Sequence, residues 1–155
     1  MMIRYKMAKN DEHRSYCPVN LFTEVLGDKW SLLILRDMMF YKRRHFNELL
    51  RESEEKIASN ILRDRLVMFE KEGLVSKGKP VDENHKQKLT YSLTEKSIDL
   101  LPLMVSAIGW SIRHEPVDKK KYKPAVDLYA AGRPAIAAFQ AMLRQEHLGQ
   151  ATTQS

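Results

Sequence analysis

Leu21, Phe22, Val25 and Leu26 recur at helical spacing behind Pro18, which suits the first position of a helix, where a missing N–H costs nothing. Gly27-Asp28 then punctuates the chain. Asp28 supplies the side-chain acceptor to cap a second helix whose inward stripe is Trp30, Leu33, Ile34 and Met38. Phe46, Leu49 and Leu50 predict a short third helix with Asn47 and Glu48 facing out, and Ile57, Ile61, Leu62, Leu66 and Phe69 predict a longer fourth one that stops at Gly73.

Only Ser53 to Lys56 separate the third and fourth helices, and a tight connection followed by a glycine stop is the layout of a helix-turn-helix. The period then changes. Leu74-Val75-Ser76-Lys77 and Leu89-Thr90-Tyr91-Ser92-Leu93 are short strand-like runs on either side of the polar segment Gly78 to Lys88, which predicts a hairpin with a charged tip, a wing. Thr94 caps a further helix with Glu95 in its first turn. That helix carries Ile98, Leu101, Val105, Ile108 and Ile112 together with Leu100, Met104 and Trp110, more apolar surface than one face of a lone domain needs, so a partner surface is expected. Lys119, Lys120, Lys121 and Lys123 form a basic run. Gly132-Arg133-Pro134 interrupts a last helical region before an amphipathic stretch through Ile136, Phe139, Leu143 and His147.

With 155 residues of which 43% are hydrophobic, the chain closes one core rather than two. The expected organisation is an arm over 1–15, a domain over 16–116, a basic and helical extension over 117–148 and a polar tail over 149–155. A formal charge of +6 favours a polyanionic partner without identifying it. The longest apolar candidate, Trp30 to Met39, is interrupted by Arg36 and Asp37, and no apolar run follows the basic start, so neither a span nor a secretory leader is read and a cytoplasmic protein is expected. The single cysteine, Cys17, excludes an internal disulfide framework, and the five histidines show no ligand spacing, so no metal or cofactor is expected.

Several motifs in order resemble one family: Cys17-Pro18-Val19, Gly27-Asp28-Lys29-Trp30, Arg44-His45-Phe46-Asn47-Glu48-Leu49, Leu66 to Glu72-Gly73-Leu74-Val75, Tyr91-Ser92-Leu93-Thr94-Glu95 and Trp110. Over about residues 15 to 115 the chain is similar to the HxlR-type regulators. The resemblance implies a mainly α fold with a small β-hairpin (α+β), a winged helix-turn-helix, a homodimer built from the N- and C-terminal helices, and binding to operator DNA. Two positions depart from the family pattern. The turn reads Glu55-Lys56-Ile57-Ala58 where a glycine, an isoleucine and a polar residue are usual, and Ser97 replaces a glycine after Thr94-Glu95-Lys96.

In such a fold the second helix enters the major groove, which makes Ser59, Asn60 and Arg63 the candidates for base edges and Lys56 and Arg65 the candidates for phosphates, with Asp64 a local partner for one of the arginines. Lys77, Lys79, His85, Lys86 and Lys88 on the wing would neutralise phosphates. Leu21, Phe22, Leu101, Val105, Ile108, Trp110 and Ile112 are candidates for the dimer seam; Trp30, Trp110 and the methionines read as core or seam, or as the lining of a small apolar effector pocket between subunits. Cys17, at a helix N-terminus with Arg14 nearby, is placed to favour a reactive thiolate; the resemblance permits it to be a sensor of an oxidant or electrophile, and the alternative is a small buried residue at the dimer seam. Duplex recognition by a symmetric dimer is the leading function, a winged-helix protein-docking module without sequence-specific DNA binding is the alternative, and a thiol enzyme lacks any recognisable base for Cys17.

Overall fold

The computed structural model describes residues 12–78 and 89–149. Within them the order is α1 (Pro18–Leu26), α2 (Ser31–Phe40), α3 (Phe46–Arg51), α4 (Ser59–Lys71), β1 (Val75–Lys77), β2 (Tyr91–Leu93), α5 (Glu95–Ile98), α6 (Leu101–His114), α7 (Lys123–Ala131) and α8 (Arg133–Leu148). The mainly helical architecture with one hairpin is the expected one: β1 and β2 are antiparallel, with Val75 opposite Leu93 and Lys77 opposite Tyr91. The backbone of Arg44 adds a further rung, accepting the Tyr91 N–H at 2.8 Å.

Local chemistry sets the boundaries. Asp28 caps α2 by accepting the N–H groups of Trp30 and Ser31, both at 3.0 Å, as well as the Ser31 hydroxyl. Burial acts to raise the Asp28 pKa, but these bonds from Ser31 and Trp30 outweigh it and hold the carboxyl below its ordinary range. Beyond α4, Gly73 takes φ +73° and the Leu74 N–H returns to the Phe69 carbonyl at 2.7 Å, a Schellman-type stop. Thr94 and Ser97 close a capping box on α5, so the serine that replaces the family's glycine is buried and used.

The inward stripe of α2 is wider than expected. Leu35 and Met39 are fully buried beside Ile34 and Met38, whereas Trp30 and Leu33 are only half-buried, because α2 is central and packed on more than one side. The single helix expected after Thr94 is instead two, α5 and α6, broken at Asp99-Leu100. Pro102 accounts for the break, since it cannot donate to the carbonyl of Ile98, and Gln140 of α8 satisfies that carbonyl at 3.2 Å.

The core runs through α2, α4, the hairpin, α5 and α6, with Leu62, Phe69, Leu93, Ile98 and Leu101 fully buried. The extension is part of it. Leu143 of α8 is fully buried, Phe139 stacks on Phe40 with centroids 5.3 Å apart, and His147 accepts the Leu93 N–H on Nδ1 at 3.0 Å. On the other side α7 lies against α6, where the missing side chain of Gly109 leaves room for the Tyr129 ring. Part of the surplus apolar surface expected to await a partner is therefore covered by the chain itself. Leu101 and Val105, candidates for the seam, are core residues of a single chain; Leu21, Phe22, Ile108 and Ile112 are half-buried, and Trp110 is exposed.

Candidate nucleic-acid interface

The turn between α3 and α4 is held from beneath. Asp37, buried in α2, lies 2.7 Å from Arg36 and 3.4 Å from Arg43, and these guanidiniums reach on to Glu55 at 2.7 Å and Glu52 at 3.3 Å. Burial pushes the Asp37 carboxyl up despite the two cations, while the bonds to Glu55 and Asp37 keep Arg36 firmly charged against its own desolvation. Ser53 and Ile57 are buried on either side of the turn. Lys56 occupies the left-handed region at φ +59°, the conformation a glycine there would adopt freely.

From this turn α4 begins at Ser59 behind Ala58, which offers its first N–H groups no side-chain cap. Leu62, Leu66 and Phe69 anchor its inner face, leaving Ser59, Asn60, Arg63, Asp64 and Val67 exposed along the outer one. The three residues expected to read bases thus share one exposed surface at the N-terminal end of α4, with Lys56 also exposed just before it.

Arg65 does not join them. It lies on the flank of α4, half-buried and 3.5 Å from Asp28, the cap of α2, so the residue expected to reach a phosphate is paired with that carboxylate here. Asp64, expected to pair with a nearby arginine, has no ion pair among the described residues. On the wing stem, Lys77 is exposed and lies 3.2 Å from Glu70 of α4; an exposed pair of this kind contributes at most about 1 kcal/mol. Lys79, His85, Lys86 and Lys88 lie outside the described residues.

Arg44 fixes the wing to the rest. Its guanidinium donates to the Tyr91 carbonyl at 3.0 Å, to the Ser92 hydroxyl, and to the Glu146 carbonyl at 3.4 Å, joining the hairpin to both the start of α3 and the end of α8. Thr94 and Lys96 donate to the carbonyls of Gly73 and Glu72 at 2.6 and 2.7 Å, fastening α5 to the end of α4. None of these contacts was legible as a pattern, because each joins segments far apart in sequence.

Cys17 is exposed at the start of α1, and its thiol pKa is lowered by hydrogen bonds from the backbone N–H groups of Asn20 and Val19. Arg14 does not add to this; it turns to Glu24, whose carboxylate also accepts from His13 at 2.6 Å. Residues 12 to 15 of the expected arm are thereby folded back along α1.

A recognition-type helix presented beside a hairpin on a rigid helical base defines a winged helix-turn-helix transcription regulator. The model of the HxlR-like helix-turn-helix family matches residues 25–119. The Bacillus subtilis (strain 168) HTH-type transcriptional regulator YdeP is 31% identical over 122 residues, which span 77% of this chain and 84% of that protein. Among solved structures, PA1607, described as a candidate transcription factor, superposes with a TM-score of 0.58 at 30% identity over 68% of this chain and 70% of that one. The reduced form of the B. subtilis transcriptional regulator YodB superposes with a TM-score of 0.53 at 25% identity over 67% and 100%. The chain belongs to the HxlR-like helix-turn-helix family, whose members are transcription regulators and not enzymes. Among the described residues no helix is long and apolar enough to cross a membrane.

Proposed function

We propose that the protein is a dimeric, cytoplasmic regulator that binds a pseudo-palindromic operator by placing α4 of each copy in the major groove. The observation that carries this reading is the surface shared by Ser59, Asn60 and Arg63 at the uncapped start of α4, with the stem of the hairpin packed against the same helix. Asn60 has the donor and acceptor for adenine, Arg63 the fork for guanine, and a good bidentate pair contributes about 1–3 kcal/mol of discrimination. The N–H groups of Ser59 and Asn60 suit a phosphate, and Lys56 and Lys77 add screening charge. Two copies joined through α1 and α6, where Val19 and Trp110 are exposed, would set the recognition helices about 34 Å apart.

Fluorescence anisotropy with duplex DNA tests the assignment through Arg63→Ala. Loss of binding with the fold intact is expected, and unchanged affinity would favour the protein-docking alternative.

Cys17 supports a second, regulatory reading. A thiolate stabilised by the Asn20 and Val19 N–H groups attacks a peroxide oxygen to give a sulfenic acid as the peroxide O–O bond breaks, with the other oxygen leaving as water or alcohol. Repositioning of α1 at the seam would then change operator fit. DNA release on mild peroxide treatment, absent in Cys17→Ser, is the expected result, and equal behaviour of the two proteins would remove the sensor role. Small-molecule effectors of the same seam fall under this reading too.

A further inference from the structure

The turn that delivers α4 is acidic: Glu52, Glu54 and Glu55 would together repel a phosphate backbone running past Ser59. Two of these charges are met from the helix-turn-helix base, Glu52 by Arg43 at 3.3 Å and Glu55 by Arg36 at 2.7 Å. Glu54 is met from a different part of the chain. The connector between α6 and α7 brings Lys121 into an ion pair with it and the Tyr122 hydroxyl to 2.6 Å from its carboxylate. These bonds from Lys121 and Tyr122 hold Glu54 below its ordinary range.

The connector is also well shaped. Asp118 accepts the Lys121 N–H at 3.0 Å on its side chain and the Tyr122 N–H at 3.1 Å on its carbonyl, and Lys121 lies over the Tyr122 ring. Lys123 is spent on Asp127 at 2.5 Å. Lys119 and Lys120 remain, both exposed, and neither has an ion pair among the described residues.

We infer that the α6–α7 connector is a second DNA-backbone contact, in which Lys121 and Tyr122 neutralise Glu54 beside the recognition helix and Lys119 and Lys120 bind the phosphates flanking the half-site. The inference rests on the duplex-binding reading above and adds to it a role for the extension: a longer footprint and a steeper salt dependence than the winged domain would have alone. Neither the paired Glu52 nor the paired Glu55 needs the connector, so its effect is confined to Glu54 and the two exposed lysines.

The test compares the native chain with Lys119→Gln/Lys120→Gln on a mixed-sequence duplex at several salt concentrations. Loss of two phosphate contacts per protomer should weaken binding at low salt and flatten the plot of log affinity against log salt by about 2 for each protomer bound, with the melting temperature unchanged. A second pair separates the neutralising role: Lys121→Gln should weaken binding, and adding Glu54→Gln should restore most of it. An unchanged slope in the lysine variant, while the native chain binds, overturns the connector contact and leaves the recognition helix standing. A Lys121→Gln protein that binds as tightly as the native chain overturns the neutralisation. Failure of the native chain to bind any duplex at low salt sinks the recognition reading itself and this inference with it.

Discussion

His147 makes the stability of the protein depend on pH in a window the structure specifies. It is 8% exposed, Nδ1 accepts the Leu93 N–H, and Nε2 meets no partner among the described residues. The ring is therefore neutral: burial, with the nearby Arg44 guanidinium adding to it and Glu146 opposing it, lowers its pKa from 6.5 to about 4. Because the folded value lies below the unfolded one, the two states bind the same number of protons above pH 6.5. Between 6.5 and about 4 the unfolded chain takes up a proton that the native one refuses. Stability is thus complete at neutral pH and falls as the solution is acidified through that window. At about 1.4 kcal/mol for each tenfold change in proton affinity, the loss approaches about 3 kcal/mol, or a fall of roughly 6–12 °C in melting temperature for a chain of this size. His147→Asn keeps an acceptor for Leu93 and cannot titrate there, so the difference between native and variant melts from pH 7.5 to 4.5 isolates this group from the carboxylates. Parallel curves for the two proteins would show that His147 is not held neutral by burial and would refute the reasoning.

Three further perturbations probe the fold. Leu143→Ala empties a fully buried site in the extension and should cost about 2–5 kcal/mol in urea unfolding, whereas a loss within error of zero would mean that α8 is not part of the core. Lys56→Gly relieves a left-handed lysine and should leave stability equal or higher by up to about 1 kcal/mol, while a clear loss in thermal melts would contradict that conformation. Asp28→Ala removes the cap of α2 and leaves Arg65 unpaired, for an expected cost of about 1–2 kcal/mol by the same melts; no change would mean that Asp28 does not hold the start of α2.

The helices α1 to α4 and the hairpin stems were legible because each carries its own period and punctuation: Pro18 at one start, Gly73 at one end, and Thr94 as a cap. The break between α5 and α6 was equally open to reading, since Pro102 forbids a continuous helix, but the density of apolar residues on both sides masks it. What a period cannot give is which of two adjacent side chains faces the groove. Arg63 and Arg65 look alike in sequence, and only the placement of α2 turns Arg65 to Asp28. Nor does any local pattern mark Glu54 as a partner of Lys121 and Tyr122, because the pairing depends on how α7 folds back over α6. Helical periodicity also identifies apolar faces without saying what covers them. For this reason Leu101 and Val105 read as seam and belong to the core, and Leu143 reads as part of an appendage and is fully buried.

Duplex recognition by paired α4 helices is measured most directly by selection from a random duplex library with the reduced protein. It predicts an enriched pseudo-palindrome whose half-sites lie about one helical turn apart or a multiple of it, with the enrichment lost in Arg63→Ala. A folded protein that enriches no sequence even at low salt would contradict it.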